Sequence, residues 1–137
     1  MRCNLGNHQA EIEESATQRW YEQASVWSCT CAPCRNFVKL ALLRQLPASV
    51  LSALDTLHIP PEKATYVCEL YTDEAGIHYQ FSYRIAGTFV ESPVLQSADM
   101  RCCHEPYPYG APGFPAPHFD AEFYAVLPLV LDEANDN

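Results

Sequence analysis

Residues 65–85 read TYVCELYTDEAGIHYQFSYRI, and this stretch decides the fold. From residue 77 to residue 85, apolar side chains alternate with polar ones. The apolar set is Ile77, Tyr79, Phe81, Tyr83 and Ile85, and the polar set is His78, Gln80, Ser82 and Arg84. Alternation with a period of two predicts a β-strand that turns one face to a core. Because residues 65–71 also predict a strand and residues 73–76 a turn, the whole stretch predicts a β-hairpin.

The chain after this hairpin predicts a bend, a long loop and one more strand. Gly87 predicts a bulge or bend where the second hairpin strand continues. Residues 91–117 contain six prolines, which predicts a long loop with little regular structure. Residues 119–127 alternate again between apolar and polar side chains, so they predict a final strand that ends at Pro128.

The chain before the hairpin predicts two helices. Residues 36–46 are rich in helix-forming residues and carry apolar side chains three and four positions apart. Pro47 suits the start of a second helix, where its missing N–H costs nothing, and Pro60 ends that helix. The apolar stripe of the second helix consists of Val50, Leu51, Leu54 and Leu57. The two helices predict a short helical hairpin with an apolar side that a sheet must cover.

The remaining N-terminal part, residues 8–27, predicts two short strands joined by a turn at residues 15–18. All these elements together predict an α+β fold, with an antiparallel β-sheet of four to six strands packed against the short helical hairpin. A chain of 137 residues with 48% apolar content can build one core. We therefore expect residues 1–137 to form a single domain.

The charge and the N-terminus restrict the partners and the compartment. The net charge of −9 argues against nucleic acid as a partner, because phosphate binding needs a basic face. The first eight residues lack the apolar run of a signal peptide, and no stretch approaches the roughly eighteen apolar residues of a membrane span. We therefore expect a cytoplasmic protein that does not associate with a membrane. In a reducing cytoplasm, the seven cysteines would be free thiols or metal ligands.

The most informative motif is the cluster Cys29, Cys31 and Cys34, in C-x-C-x-x-C spacing directly before the first predicted helix. The positive end of a helix dipole favours a thiolate at Cys34, and thiolate is the form that binds metals and attacks electrophiles. A structural zinc ion needs four ligands, so this cluster lacks one. The candidates for the fourth ligand are Cys103, His104 and Cys3. The alternative without a metal is that these cysteines are small buried apolar residues.

Three functional hypotheses follow from these residues. The leading one is a non-enzymatic binding or interaction module with a structural zinc site at the cysteine cluster. The second is a thiol-dependent redox enzyme or sensor with Cys34 as the nucleophile. The third is an acidic immunity or inhibitor protein for a basic protein partner. Its acidic residues are Glu11, Glu13, Glu14, Asp132, Glu133 and Asp136.

A weaker candidate site lies on the polar face of the predicted hairpin. His78 and Arg84 share that face and, with Glu69, form a set of polar side chains that could line a pocket. Polar residues on a strand face are usually solvated, so solvent exposure is the default expectation for all three.

Residues 27–37, with the pattern W-x-C-x-C-x-x-C-R-N-F, resemble a family of small bacterial proteins to which no activity is assigned. Residues 57–63, the proline-rich residues 114–119 and the ending at residues 127–133 resemble the same family. The resemblance covers most of the chain from Trp27 onward and implies that the cysteine block is a recurring part. The Cys102-Cys103-His104 group has no counterpart in that family, which counts against this group as the source of the fourth ligand.

Overall fold

The computed structural model describes residues 1–5, 8–90, 100–104 and 111–131. Within these residues it contains six strands, all paired antiparallel, and three helices, which confirms the predicted α+β class. In chain order the elements are β1 (Arg2–Leu5), β2 (His8–Ile12), α1 (Glu14–Gln23), α2 (Ala32–Leu42), α3 (Ala48–Thr56), β3 (Tyr66–Asp73), β4 (Gly76–Val90), β5 (Met100–Cys103) and β6 (His118–Leu127).

Strand β4 is the centre of the sheet, and β3 and β4 form the predicted hairpin. One edge of β4 pairs with β6 over residues 77–86. The other edge pairs with β3 up to Ser82 and with β2 from Gly87 to Val90. Strand β1 extends the sheet beyond β2, and β5 extends it beyond β6. Because β1 and β5 also contact each other, the sheet curls until its two outer strands meet.

Helix α1 covers the part of the β4 edge that lies between β3 and β2. The backbone N–H of Glu13 donates to Ala86 O at 2.9 Å, and Ala86 N donates to Thr17 Oγ1 at 3.1 Å. The hydroxyl of Tyr21 donates to Arg84 O at 2.7 Å. Thr17 and Tyr21 lie one helical turn apart and are both buried. The helix thus supplies hydrogen bonds that a neighbouring strand would otherwise make.

This helix corrects the prediction of two short strands in residues 8–27. Strand β2 is present, but the predicted second strand and its turn are replaced by α1. The aromatic residues Trp20 and Tyr21 raised the strand propensity of the segment. Their neighbours Glu22 and Gln23 are exposed helix formers, and the packing of Tyr21 against β4 favours the helix.

Helices α2 and α3 form the predicted helical hairpin and lie on the apolar face of the sheet. The Phe37 ring packs between those of Tyr79 and Phe81, with centroids 5.7 and 4.8 Å away. Pro47 immediately precedes α3, as the sequence predicts. Helix α2 begins at Ala32, four residues before the predicted start, so that Cys34 lies inside its first turn.

On the polar face of the hairpin, His78 and Arg84 are buried, which corrects the expectation that both side chains are solvated. Arg84 is 4% exposed and binds Asp120 of β6 through two nitrogens, at 2.9 and 3.2 Å. The hydrogen-bonded charge pair compensates for the loss of hydration. Glu69, by contrast, is exposed and accepts a hydrogen bond from Thr72.

Strand β5 lies within the predicted loop at residues 91–117. Residues 100–103 contain no proline, so they can pair with the outer edge of β6. Residues 91–99 and 105–110 of this predicted loop lie outside the described residues. The part after them is packed onto the fold, since the Phe114 ring lies 4.9 Å from that of Trp20.

Candidate metal centre

The three clustered cysteines lie where an extended loop becomes helix α2. Trp27 N donates to Glu62 O at 3.0 Å, which holds the start of the loop. Cys31 is the extended residue immediately before the helix, and its carbonyl accepts the first helical hydrogen bond, from Arg35 N. Cys34 follows in the first turn and is buried, whereas Cys29 and Cys31 are exposed. The change from extended to helical backbone turns all three side chains towards one point.

The sulfur atoms are close enough to bind a single metal ion. Cys29 Sγ lies 3.4 Å from Cys31 Sγ, and all three Sγ atoms lie within 4.8 Å of one another. In a tetrahedral zinc site with Zn–S bonds of about 2.3 Å, two sulfurs are about 3.8 Å apart. Small adjustments of the side chains would therefore reach that geometry. Among the described residues, this is the one group of three or more Cys, His, Asp or Glu side chains with such spacing.

The three candidates for the fourth ligand are not part of this group. Cys3 lies on β1 and Cys103 on β5, and the His104 ring stacks on Phe89 with centroids 4.5 Å apart. The curl of the sheet instead brings Cys3 and Cys103 close to Cys102. Burial raises the pKa of Cys102 to about 12, and both neighbouring thiols add to this rise. The identity of the fourth ligand thus stays a prediction.

Burial reverses the expected order of thiol acidity within the cluster. Cys34 is 6% exposed, and burial raises its pKa to about 12. The pKa of the exposed Cys29 is lowered, chiefly by the backbone N–H of Cys31 and then by the Cys31 and Cys34 side chains. Without a metal, the most acidic of the perturbed thiols in the cluster is therefore Cys29, which corrects the expectation for Cys34.

The indole of Trp27 lies against the cluster. Its Nε1 atom is buried and meets no acceptor at full hydrogen-bond geometry among the described residues. The same N–H is nevertheless close enough to Cys34 to lower the pKa of that thiol. A donor in this position stabilises negative charge on sulfur, which is the charge that metal binding requires.

Other residues of the 27–37 block hold the cluster in place. Arg35 Nε donates to Thr30 O at 3.1 Å across the loop. The fully buried Asn36 donates to Pro128 O at 3.0 Å and accepts from Val130 N at 2.7 Å, which attaches α2 to the C-terminal segment. From the sheet, the Tyr79 hydroxyl donates to Pro33 O at 2.6 Å. Sequence reasoning named only the cysteines, although the W-x-C-x-C-x-x-C-R-N-F pattern contains Trp27, Arg35 and Asn36 as well.

An open groove of about 400 Å³ lies beside the cluster. Its lining includes Cys29 and Trp27 of the loop and the apolar side chains of Val38 and Leu42 of α2. The remaining lining residues are Ser28, Thr30, Arg35, Lys39 and Leu131. A small molecule or a partner's side chain can therefore approach the exposed sulfur of Cys29.

Of the acidic residues singled out in the sequence, the structure describes Glu11, Glu13 and Glu14. Glu11 pairs with Arg2, and Glu14 lies 3.2 Å from His58 Nε2. The acidic residues of the tail, Asp132, Glu133 and Asp136, lie outside the described residues. A basic protein partner thus stays a prediction.

Neither a family model, nor a curated protein, nor a solved structure matches this chain. The resemblance of residues 27–37 to a bacterial family thus stays a prediction. None of the helices in the described part of the chain is long and apolar enough to span a membrane.

Proposed function

We propose that this protein is a non-enzymatic binding module in which Cys29, Cys31 and Cys34 hold a zinc ion. The observation that carries the proposal is the convergence of three Sγ atoms within 4.8 Å of one another. Thiolate sulfur is a soft ligand that selects zinc, copper(I) or iron–sulfur clusters over magnesium or calcium. A metal ion bound here would fasten the loop to the first turn of α2.

The surroundings of the sulfurs support this assignment. Metal binding displaces the thiol protons, so the buried Cys34 would lose its proton only when the metal arrives. The N–H of Trp27 would then face a metal-bound thiolate, as outer hydrogen-bond donors commonly do in metal sites. The groove is lined by the exposed Cys29, so it lies next to the open end of the cluster. A ligand or a partner's side chain that enters the groove could complete the zinc sphere.

The test is metal analysis of the protein purified without a histidine tag. We expect about one zinc ion per chain, and loss of zinc in Cys31→Ser, since two thiolates cannot hold the ion tightly. Cys68→Ser is the matched control, because Cys68 is a half-buried cysteine on β3 outside the cluster. Zinc retained by Cys31→Ser, or a wild-type protein that stays metal-free in excess zinc, would refute the proposal.

The acidity of Cys29 favours a second candidate function, a thiol-based redox sensor. Cys29 is exposed, its pKa is lowered, and its sulfur lies 3.4 Å from that of Cys31. An oxidant such as a peroxide would take two electrons from this pair and leave a disulfide, with release of two protons. Mass spectrometry of the metal-free protein after mild peroxide treatment tests this function. A disulfide between Cys29 and Cys31 would support it, and sulfinic acid without any disulfide would exclude it.

A further inference from the structure

A cluster of two tyrosines, a histidine and an aspartate lies on the polar face of the sheet, away from the cysteines. We call it the tyrosine–histidine cluster, and it consists of Tyr71, Asp73, His78 and Tyr124. The Tyr124 hydroxyl hydrogen-bonds to His78 Nδ1. Asp73 Oδ2 lies 2.9 Å from His78 Nε2 on the opposite side of the same ring. His78 is 7% exposed, so a nearly buried imidazole is bound at both nitrogens.

The tyrosine Tyr71 closes the cluster. Its ring stacks on that of His78, with centroids 4.0 Å apart and an angle of 19° between the planes. Its hydroxyl interacts with that of Tyr124. The hydroxyls of Tyr71 and Tyr124 thus lie together on the Nδ1 side of His78, while the carboxylate of Asp73 lies on the Nε2 side.

A β-bulge in β3 brings Tyr71 to this position. Glu69 pairs with Tyr79 and Tyr71 pairs with His78, so Leu70 is an extra residue in the strand. Regular pairing would place Leu70 opposite His78 and turn Tyr71 to the other face. Bulges often re-aim a side chain next to a functional site. The bulge exchanges an apolar side chain for a phenol beside the imidazole.

Solvent reaches the cluster through Tyr71 and Asp73. Tyr71 is 52% exposed, and the side chain of Asp73 is 45% exposed. The nearly buried His78 fixes the geometry, while the exposed phenol and carboxylate leave an entry path for an ion. A fixed His78 ring beside exposed Tyr71 and Asp73 side chains suits a site that binds and releases a ligand.

We propose that the His78 imidazole and the hydroxyls of Tyr71 and Tyr124 bind ferric iron, with the Asp73 carboxylate as the outer partner of the histidine. The Tyr124 hydroxyl contacts both His78 Nδ1 and the Tyr71 hydroxyl, so the three ligand atoms are neighbours. Metal-bound histidines almost always donate their other N–H to a carboxylate or a carbonyl, and Asp73 is in place for this role.

Charge and ligand chemistry select a trivalent ion. Binding releases one proton from each phenol, whereas His78 keeps its Nε2 proton for Asp73. Two phenolates and one carboxylate then balance the three positive charges of Fe(III), and zinc would leave the site with one negative charge. Anionic oxygen donors suit hard ions, in contrast to the soft thiolates of the cysteine cluster.

The test is titration of the purified full-length protein with ferric nitrilotriacetate. We expect a visible phenolate-to-iron charge-transfer band that saturates at one iron per chain. Tyr124→Phe and Tyr71→Phe should each weaken this band or its apparent affinity at least tenfold, since each removes one ligand. Asp73→Asn should weaken iron binding by about 10- to 100-fold, as loss of an outer-shell carboxylate does elsewhere.

Two controls separate this site from others on the protein. Tyr66→Phe removes a hydroxyl on the same strand but outside the cluster, so it should leave the band unchanged. Cys31→Ser should also leave it unchanged, because the thiol site is a different centre. Circular dichroism of each phenylalanine variant checks that it is folded. Absence of the band at excess ferric ion, or a band that persists in the folded Tyr71→Phe/Tyr124→Phe double variant, would overturn the proposal.

Discussion

At the scale of single residues, the buried pair Arg84–Asp120 has the greatest consequence for stability. Both side chains are at most 4% exposed and share two hydrogen bonds across β4 and β6. We expect Asp120→Ala to lower the free energy of unfolding by about 3–5 kcal/mol, because it leaves Arg84 charged, buried and unpaired. Urea unfolding at neutral pH measures this loss.

The exposed pair Arg44–Asp55 is the matched control for that prediction. Its side chains are 50% and 57% exposed, so Asp55→Ala should cost only about 0–1 kcal/mol. The double variant Arg84→Met/Asp120→Leu should be more stable than Asp120→Ala, because it removes both charges together. Equal losses in Asp120→Ala and Asp55→Ala would contradict the burial of the first pair.

The thiols of the cysteine cluster should differ in reactivity. In metal-free protein at neutral pH, iodoacetamide should label Cys29 before Cys34. The pKa of Cys29 is lowered, so more of it is thiolate, whereas the pKa of Cys34 is raised to about 12. Peptide mass spectrometry over time measures the order, and faster labelling of Cys34 would contradict it.

The sequence predicts the cysteine cluster but not which thiol is acidic. The sequence shows three cysteines within six residues next to a predicted helix, and in the structure their sulfur atoms do converge. The acidity depends on burial, which arises when α2 packs on the sheet and covers Cys34. The tyrosine–histidine cluster was hidden for a similar reason, because the bulge in β3 that aligns Tyr71 with His78 leaves no distinct signal in the sequence.

At the scale of elements, Gly87 controls how β2 joins β4. Its φ of +136° is a conformation that side chains disfavour, and a Cβ there would lie 2.0 Å from Glu11 O on β2. We therefore expect Gly87→Ala to separate the strands and to lower the midpoint of thermal unfolding strongly. The backbone amides of β1 and β2 should also lose protection from hydrogen exchange.

Gly113→Ala is the matched control for this substitution. Gly113 also has a positive φ, of +73°, but a Cβ there would meet no atom within 4 Å among the described residues. Gly113→Ala should lower the free energy of unfolding by about 1–2 kcal/mol, from backbone strain alone. If Gly87→Ala and Gly113→Ala unfold at the same temperature, β2 does not lie as close to Gly87 as the structure indicates.

The helices and strands differ in whether local sequence signals are sufficient to predict them. The hairpin of β3 and β4, strand β6 and both helices of the helical hairpin follow from periodicity and proline positions. Helix α1 does not, since it depends on Thr17 and Tyr21 satisfying a strand edge more than 60 residues away in sequence. Strand β5 likewise depends on the free edge of β6.

At the scale of the whole molecule, buried tyrosines should make the fold sensitive to alkali. Burial raises the pKa of Tyr21 and Tyr83 well above the ordinary value and that of Tyr79 to about 12. Groups with a raised pKa in the folded state stabilise it fully below the ordinary pKa, 10.0. This contribution is lost as the pH rises towards and through the raised values.

Spectrophotometric titration of the phenols measures this effect. In the native protein, at least three of the eight tyrosines should ionise late, together with the loss of the fold. In urea, all eight should ionise together near pH 10. Native and unfolded titration curves that coincide would show that Tyr21, Tyr79 and Tyr83 are not buried.

In the whole molecule, the cysteine cluster and the tyrosine–histidine cluster lie on opposite faces of one sheet. Tyr79 points to the helices and contacts Pro33 beside the thiols, whereas its neighbour His78 points the other way, to the phenols. The alternation that predicts β4 therefore also separates a soft ligand set from a hard one.

Zinc-edge X-ray absorption of the purified protein tests the metal centre most directly, because it counts the sulfur atoms around the ion. The convergence of Cys29, Cys31 and Cys34 predicts at least three sulfur neighbours at about 2.3 Å. Cys31→Ser should lose the zinc itself, because two thiolates cannot hold the ion tightly. A zinc ion surrounded only by nitrogen and oxygen would contradict the assignment of this cluster as the metal centre.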